Sequence, residues 1–130
     1  MNIGNLKVGI EHAPLVIAEI GINHSGNINI AKKMVDAAAR AGIQIIKHQT
    51  HIVDDEMCSV AREDIVEHAG ASIFDLMEAC ALNEREEFEL MRYTHEKGMT
   101  FISTPFSRAA ANRLATFNVP AFKIGSGECN

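Results

Sequence analysis

The chain has 130 residues, one ordinary domain with room for a modest core. Hydrophobic residues make up 47% and charged residues 22%, a globular composition, and the net charge is -5 with no Lys/Arg block. These numbers argue against nucleic acid or an anionic membrane as the main partner, since both need a concentrated basic face. A locally positive pocket for a small anion stays compatible with them.

No apolar stretch approaches the ~20 residues that span a bilayer. The opening "MNIGNLKVGIEHAP" lacks the basic-then-apolar layout of a signal peptide. Cys58, Cys80 and Cys129 are odd in number and have no CxxC spacing, which fits a reducing compartment. A cytoplasmic location is the expectation.

In chain order, "LVIAEIGI" (15–22) reads as a first strand and "NHSGN" (23–27) as the loop after it. A helix is predicted over 29–41, capped by Asn29 and ended by Gly42. Ile30, Met34, Ala37, Ala38 and Ala41 form its apolar face; Lys32, Lys33, Asp36 and Arg40 face water. "IQIIKHQT" (43–50) is a second strand. The polar segment 51–72 reads as an excursion above the sheet, followed by a short helix over 73–81. Asn83 with Glu86 resembles a capping box for a helix running to Lys97, closed by Gly98. "MTFISTPF" (99–106) is a third strand, a helix starts at Ser107, and "PAFKIGSG" (120–127) is a fourth strand. The strands are nearly continuous in apolar residues, as strands covered on both faces are. Strand and helix in alternation mean parallel βαβ units, an α/β fold. An open doubly wound sheet and part of a (β/α)8 barrel, which needs ~250 residues, both fit.

Polar residues interrupt the strands near their C-terminal ends, where α/β folds bind ligands: Glu19, Lys47, Gln49, Ser103, Thr104 and Lys123. Lys47 and Gln49 must share a face, because side chains alternate along a strand. Two lysines set among Ile and Phe call for an anionic partner or a shifted pKa. "GSGE" (125–128) offers backbone N–H groups and the Ser126 hydroxyl to phosphate oxygens, although Gly-Ser-Gly is also an ordinary turn. His48 and His51 do not make a helical metal pair, and Asp54, Asp55 and Glu56 read as a solvated loop. No metal site built wholly from this chain is expected, nor a Cys/His or Ser/His/Asp nucleophile.

Four segments, "AEIGINHSGN", "IIKHQTHIVDDEM", "FISTPFSRAAANRL" and "FKIGSGECN", together resemble the N-terminal half of bacterial N-acetylneuraminate (sialic acid) synthases, of the phosphoenolpyruvate-dependent sialate synthase family. The resemblance runs from about residue 12 to the last residue. It implies the first half, strands 1–4, of a (β/α)8 TIM barrel over residues 1–130. The rest of the barrel and an antifreeze-like C-terminal domain would lie outside this chain. The implied reaction condenses phosphoenolpyruvate with open-chain N-acetylmannosamine and releases phosphate. A divalent metal, Mn2+ or Mg2+, would polarise the aldehyde from ligands outside this chain. By the resemblance, Lys47, Thr104, Lys123 and Ser126 contact phosphoenolpyruvate, and Gln49 and Glu128 face the amino sugar. Glu19 would lie near the reacting centre, so that Glu19, Lys47 and Lys123 form the catalytic set. Ser25 stands where the family usually has Asn, with little consequence expected. A homodimer is implied for the intact enzyme.

A legionaminic or pseudaminic acid synthase of the same family is the alternative; the wording of "KHQTHIVDDEM" favours the N-acetylneuraminate branch. The related 3-deoxy-octulosonate 8-phosphate synthase fits less well. A different class of reading is a non-catalytic half-barrel fragment with an open sheet edge. On its own, the 130-residue chain is expected to be inactive, oligomeric or poorly stable.

Overall fold

The strand-helix alternation folds as three parallel strands lying side by side in chain order, with helices in the connections. The computed structural model describes residues 1–67 and 69–128. A hairpin of β1 (Asn2–Ile3) and β2 (Leu6–Lys7) opens the chain and turns at Gly4, beside Pro120. Strands this short carry no periodicity and leave no mark in the hydrophobic pattern. Next come β3 (Ile17–Gly21), α1 (Ile28–Arg40), β4 (Ile45–Thr50), α2 (Val53–Glu56), β5 (Ile65–Val66) and β6 (Ala71–Ser72). The chain continues through α3 (Ile73–Cys80), α4 (Glu84–Glu96), β7 (Thr100–Pro105) and α5 (Arg108–Thr116). The main sheet has the order β3-β4-β7, and β5 and β6 pair as a hairpin in the excursion between β4 and α3.

Caps set the helix limits. Asn83 and Glu86 exchange side chain-to-backbone bonds in a full capping box at α4, and Ser72 and Ser107 cap α3 and α5. In α1 the cap is Asn27, not Asn29: its Oδ1 accepts from the N–H groups of Asn29 and Ile30 at 2.9 and 3.2 Å. The helix therefore starts at Ile28, and its buried stripe is Ala31, Val35 and Ala38. Ile30 is 42% exposed, and Ala37 also faces out. Small residues on the inner stripe let α1 approach the sheet closely.

Ile46 and Phe101, a cross-strand pair, share one core with Ala31 and Val35 of α1, Leu90 of α4 and Leu114 of α5. Helices α1, α4 and α5 thus cover the same sheet face, and α1 packs on α4. This is a parallel α/β layer wound in one direction. The predicted fourth strand is not formed; the segment reaches β7 through a single parallel bridge, Ser103 to Phe122, with the Lys123 N–H donating to the Ser103 carbonyl at 3.0 Å. Pro120 brings no N–H to a ladder, and among the described residues no strand pairs on its far side. Phe122 and Ile124 consequently stay 44% and 59% exposed. Among the described residues, no helix is long and apolar enough to cross a membrane.

Candidate functional site

Strand β4 sends its side chains alternately to two chemically different places. Ile46, His48 and Thr50 enter the layer under the helices, while Lys47 and Gln49 lie on the other face. The register sets Lys47 beside Glu19 of β3 and Ile102 of β7, and Gln49 beside Thr104.

On the helix side every polar group found has a partner. Glu87 of α4 is fully buried and accepts at Oε1 from Thr50 Oγ1 and from His48 Nδ1 (3.2 Å), and at Oε2 from Arg113 of α5 (3.3 Å). Thr50 also bonds Ser103 at 2.7 Å, and His48 Nε2 lies 3.2 Å from His24 Nε2. The Gly26 N–H donates to His24 Nδ1 at 3.2 Å. Proton positions follow from this chain of bonds. His24 accepts at Nδ1, so its proton sits on Nε2 and is donated to His48, whose own proton sits on Nδ1 and is donated to Glu87. Burial, with His48 adding to it, lowers the His24 pKa from 6.5 to about 4.

The loop after β3 is shaped to deliver His24 there. A Cβ on Gly26 would stand 2.3 Å from the Ala79 carbonyl oxygen, so only glycine fits. Ser25 has a left-handed φ of 49°, a conformation that Asn tolerates better. The Ser25 departure therefore falls at a strained backbone position.

The open face is different. Lys47 pairs with the Glu19 carboxylate, and its side chain is 13% exposed. Burial first, and the Lys123 cation second, hold the Lys47 ammonium below the ordinary lysine value. Thr104 is 1% exposed, and its Oγ1 is a buried side-chain oxygen with no hydrogen-bond partner among the described residues. Such an orphan costs ~1–3 kcal/mol. Gln49 Oε1 lies 3.3 Å from His51 Nε2, and His51 Nδ1 lies 2.8 Å from Glu56 Oε2. The His51 ring stacks on Phe106 at 4.5 Å.

Of the predicted site residues, Glu19, Lys47, Gln49 and Thr104 share this face, with Lys123 entering from the segment beside β7. Ser126 lies exposed in a 3-10 turn over Ser126–Glu128, and the Glu128 side chain lies outside the described residues, as do His68, Cys129 and Asn130. Ser103 belongs to the opposite face, because alternation turns it toward Thr50. The acidic run is not simply solvated: Asp55 accepts from the Ala109 N–H at the start of α5 (2.8 Å), and Glu56 holds His51. Glu87 and Arg113 were not singled out, yet a carboxylate in register with Leu90, Met91 and Thr94 on the inner stripe of α4 was a readable signal.

Among the described residues, no group of three or more His, Cys, Asp or Glu side chains could hold a metal. His24 and His48 are committed to each other and to Glu87, and Glu19 to Lys47. These donors do not fit a divalent ion. A groove of about 420 Å³ between α1 and α4 carries Lys32, Glu89, Arg92 and Glu96, whose charges already pair, Lys32 with Glu89 and Arg92 with Glu96.

A one-way parallel α/β layer with polar and charged side chains at the strand ends defines an α/β protein of parallel strands. Residues 34–130 match the NeuB family, and the chain belongs to it. It is 32% identical over 126 residues to N-acetylneuraminate-9-phosphate synthase of Homo sapiens, covering 95% of this chain and 35% of that protein. It is 28% identical over 134 residues to pseudaminic acid synthase of Campylobacter jejuni, covering 100% of this chain and 38% of that protein. The crystal structure of N-acetylneuraminic acid synthetase from Leptospira borgpetersenii, in complex with citrate, superposes with a TM-score of 0.79 at 28% identity. That superposition covers 95% of this chain and 40% of the other. The chain spans little more than a third of the length of the curated relatives it matches.

Proposed function

We propose that this chain is the phosphoenolpyruvate-binding part of a sugar-acid synthase that condenses phosphoenolpyruvate with N-acetylmannosamine to N-acetylneuraminate and phosphate. The observation that carries the reading is the open face itself: a half-buried lysine, a second cation beside it, and an orphan hydroxyl between them in the sheet register. An anion carrying both carboxylate and phosphate meets all three needs. Lys47 and Lys123 offset its charge, and Thr104 and Ser126 donate to its oxygens.

In the reaction, C3 of phosphoenolpyruvate forms a bond to the aldehyde carbon of the open-chain sugar. Water adds at C2, and cleavage of the C2–O bond releases phosphate. Lys47 and Lys123 stabilise the charge that gathers on the departing phosphate. Glu19, which pairs with Lys47, accepts a proton near the reacting carbon on this reading. Gln49 and Glu128 face the sugar. The three strands and the bridged fourth segment are read as the first half of a (β/α)8 barrel whose other half completes the site, in a cytoplasmic homodimeric enzyme that uses a divalent metal bound outside this chain. A pseudaminic acid precursor is the second candidate substrate, supported by the Campylobacter relative.

The test is phosphate release by the intact protein from phosphoenolpyruvate with N-acetylmannosamine, or with the pseudaminic acid precursor. Phosphate release that depends on one of these sugars is expected. Intact, folded protein that releases none with either sugar contradicts the reading.

A further inference from the structure

Gln49 is an amide, and an amide can present either a donor or an acceptor to a ligand. What decides between them is the group holding its other side. Here that group is His51, which is 5% exposed and fixed on two further sides. Its ring stacks on Phe106 with an interplanar angle of 11°, and Nδ1 meets Glu56 Oε2 at 2.8 Å. Its remaining nitrogen, Nε2, meets Gln49 Oε1 at 3.3 Å.

The other side of the amide turns to the open face. A Cβ built on Gly21 would lie 3.6 Å from Gln49 Nε2 and 3.3 Å from Glu19 Oε1, so the amide NH2 and the Glu19 carboxylate border the same space. A carboxylate beside an amide favours the NH2 side, since it accepts and never donates while ionised. Gly21, with φ of 48° and no side chain, leaves that space open.

We propose that His51 is a positioning residue that holds the Gln49 carbonyl and thereby presents the Gln49 NH2 to the substrate as a hydrogen-bond donor. The inference rests on the reading of Gln49 as a sugar-facing residue and adds the polarity of the contact. The sugar group met there is an acceptor oxygen, of a carbonyl or of a hydroxyl engaged elsewhere as a donor. The His51 ring does this through Nε2–H, donated to the Gln49 carbonyl, while Glu56 holds the ring at Nδ1.

The variant His51→Phe keeps the stack on Phe106 and removes both ring nitrogens. In the intact protein it should raise the sugar KM about 5- to 10-fold, the loss of one oriented neutral hydrogen bond, with kcat and phosphoenolpyruvate KM nearly unchanged. His51→Gln, which restores an amide donor, should recover part of that loss. The double variant with Gln49→Ala should be no worse than Gln49→Ala alone, since His51 acts through Gln49. Equal rises in both KM values, no change in either, or additive losses in the double variant would overturn the proposal.

A second measurement does not depend on turnover. In 15N-histidine-labelled intact protein, the resonances lost in His51→Phe should include that of a protonated Nε2. A bare Nε2 would overturn the proposal. If the protein turns over no substrate, the proposed reaction fails, while the spectrum still decides the state of His51.

Discussion

The two faces of β4 carry equally polar side chains and treat them in opposite ways. Under the helices, His24, His48, Thr50, Ser103, Glu87 and Arg113 satisfy one another in one directional chain of hydrogen bonds. On the open face, Thr104 Oγ1 has no partner among the described residues, and burial together with the Lys123 cation disfavours the charge of Lys47. Polarity alone therefore does not mark a site. A closed network is a fastening between strand, loop and helices, whereas leftover hydrogen-bonding capacity beside neighbouring cations points to a ligand.

The largest effect should come from breaking the closed side. Glu87→Ala leaves the Arg113 guanidinium and the His48 N–H without their acceptor, and should cost about 3–5 kcal/mol of unfolding free energy by denaturant titration. A loss under 1 kcal/mol would show that the network does not fasten the fold.

Acid should loosen the same side. The folded pKa of His24, about 4, lies below the 6.5 of the unfolded chain, so the unfolded state binds more protons between these values. Stability is full above pH 6.5 and falls as pH drops toward 4, by ~3 kcal/mol across the interval. Denaturation at a series of pH values should show this slope in the wild type and a shallower one in His24→Gln.

The smallest effect concerns the loop between the two regions. Ser25→Asn places a residue more tolerant of left-handed backbone at φ 49° and should stabilise by ~0.5 kcal/mol in the same titration. Destabilisation would mean that the Ser25 side chain contributes something its backbone does not reveal.

Much of this was legible beforehand, and what was not has physical causes. Helices α4 and α5 could be placed from Asn83 with Glu86 and from Ser107, because caps are local chemistry. That Lys47 and Gln49 share a face follows from strand alternation. The fourth strand failed because a strand needs partners, and among the described residues Phe122 makes a single bridge. Ser103 was assigned to the pocket beside Thr104, although neighbours in a strand point apart. The start of α1 shifted since Asn27 and Asn29 are both competent caps, and only the loop geometry chooses between them. The link from His51 to Gln49 and Glu56 depends on how residues beyond the strand fold back, which no periodicity encodes.

The central claim is that Lys47 and Lys123 form the anion subsite and the network behind them does not. Calorimetric titration of phosphoenolpyruvate into the intact protein tests it directly, with Lys47→Ala, Lys123→Ala and Glu87→Gln in parallel. Each lysine variant should weaken binding about 10- to 100-fold, the value of a charge-assisted hydrogen bond, while folded Glu87→Gln stays within about twofold of wild type. Above neutral pH the wild type should also take up protons on binding, because the anion raises a Lys47 pKa that burial and Lys123 had lowered. Unchanged affinity in both lysine variants would contradict the account.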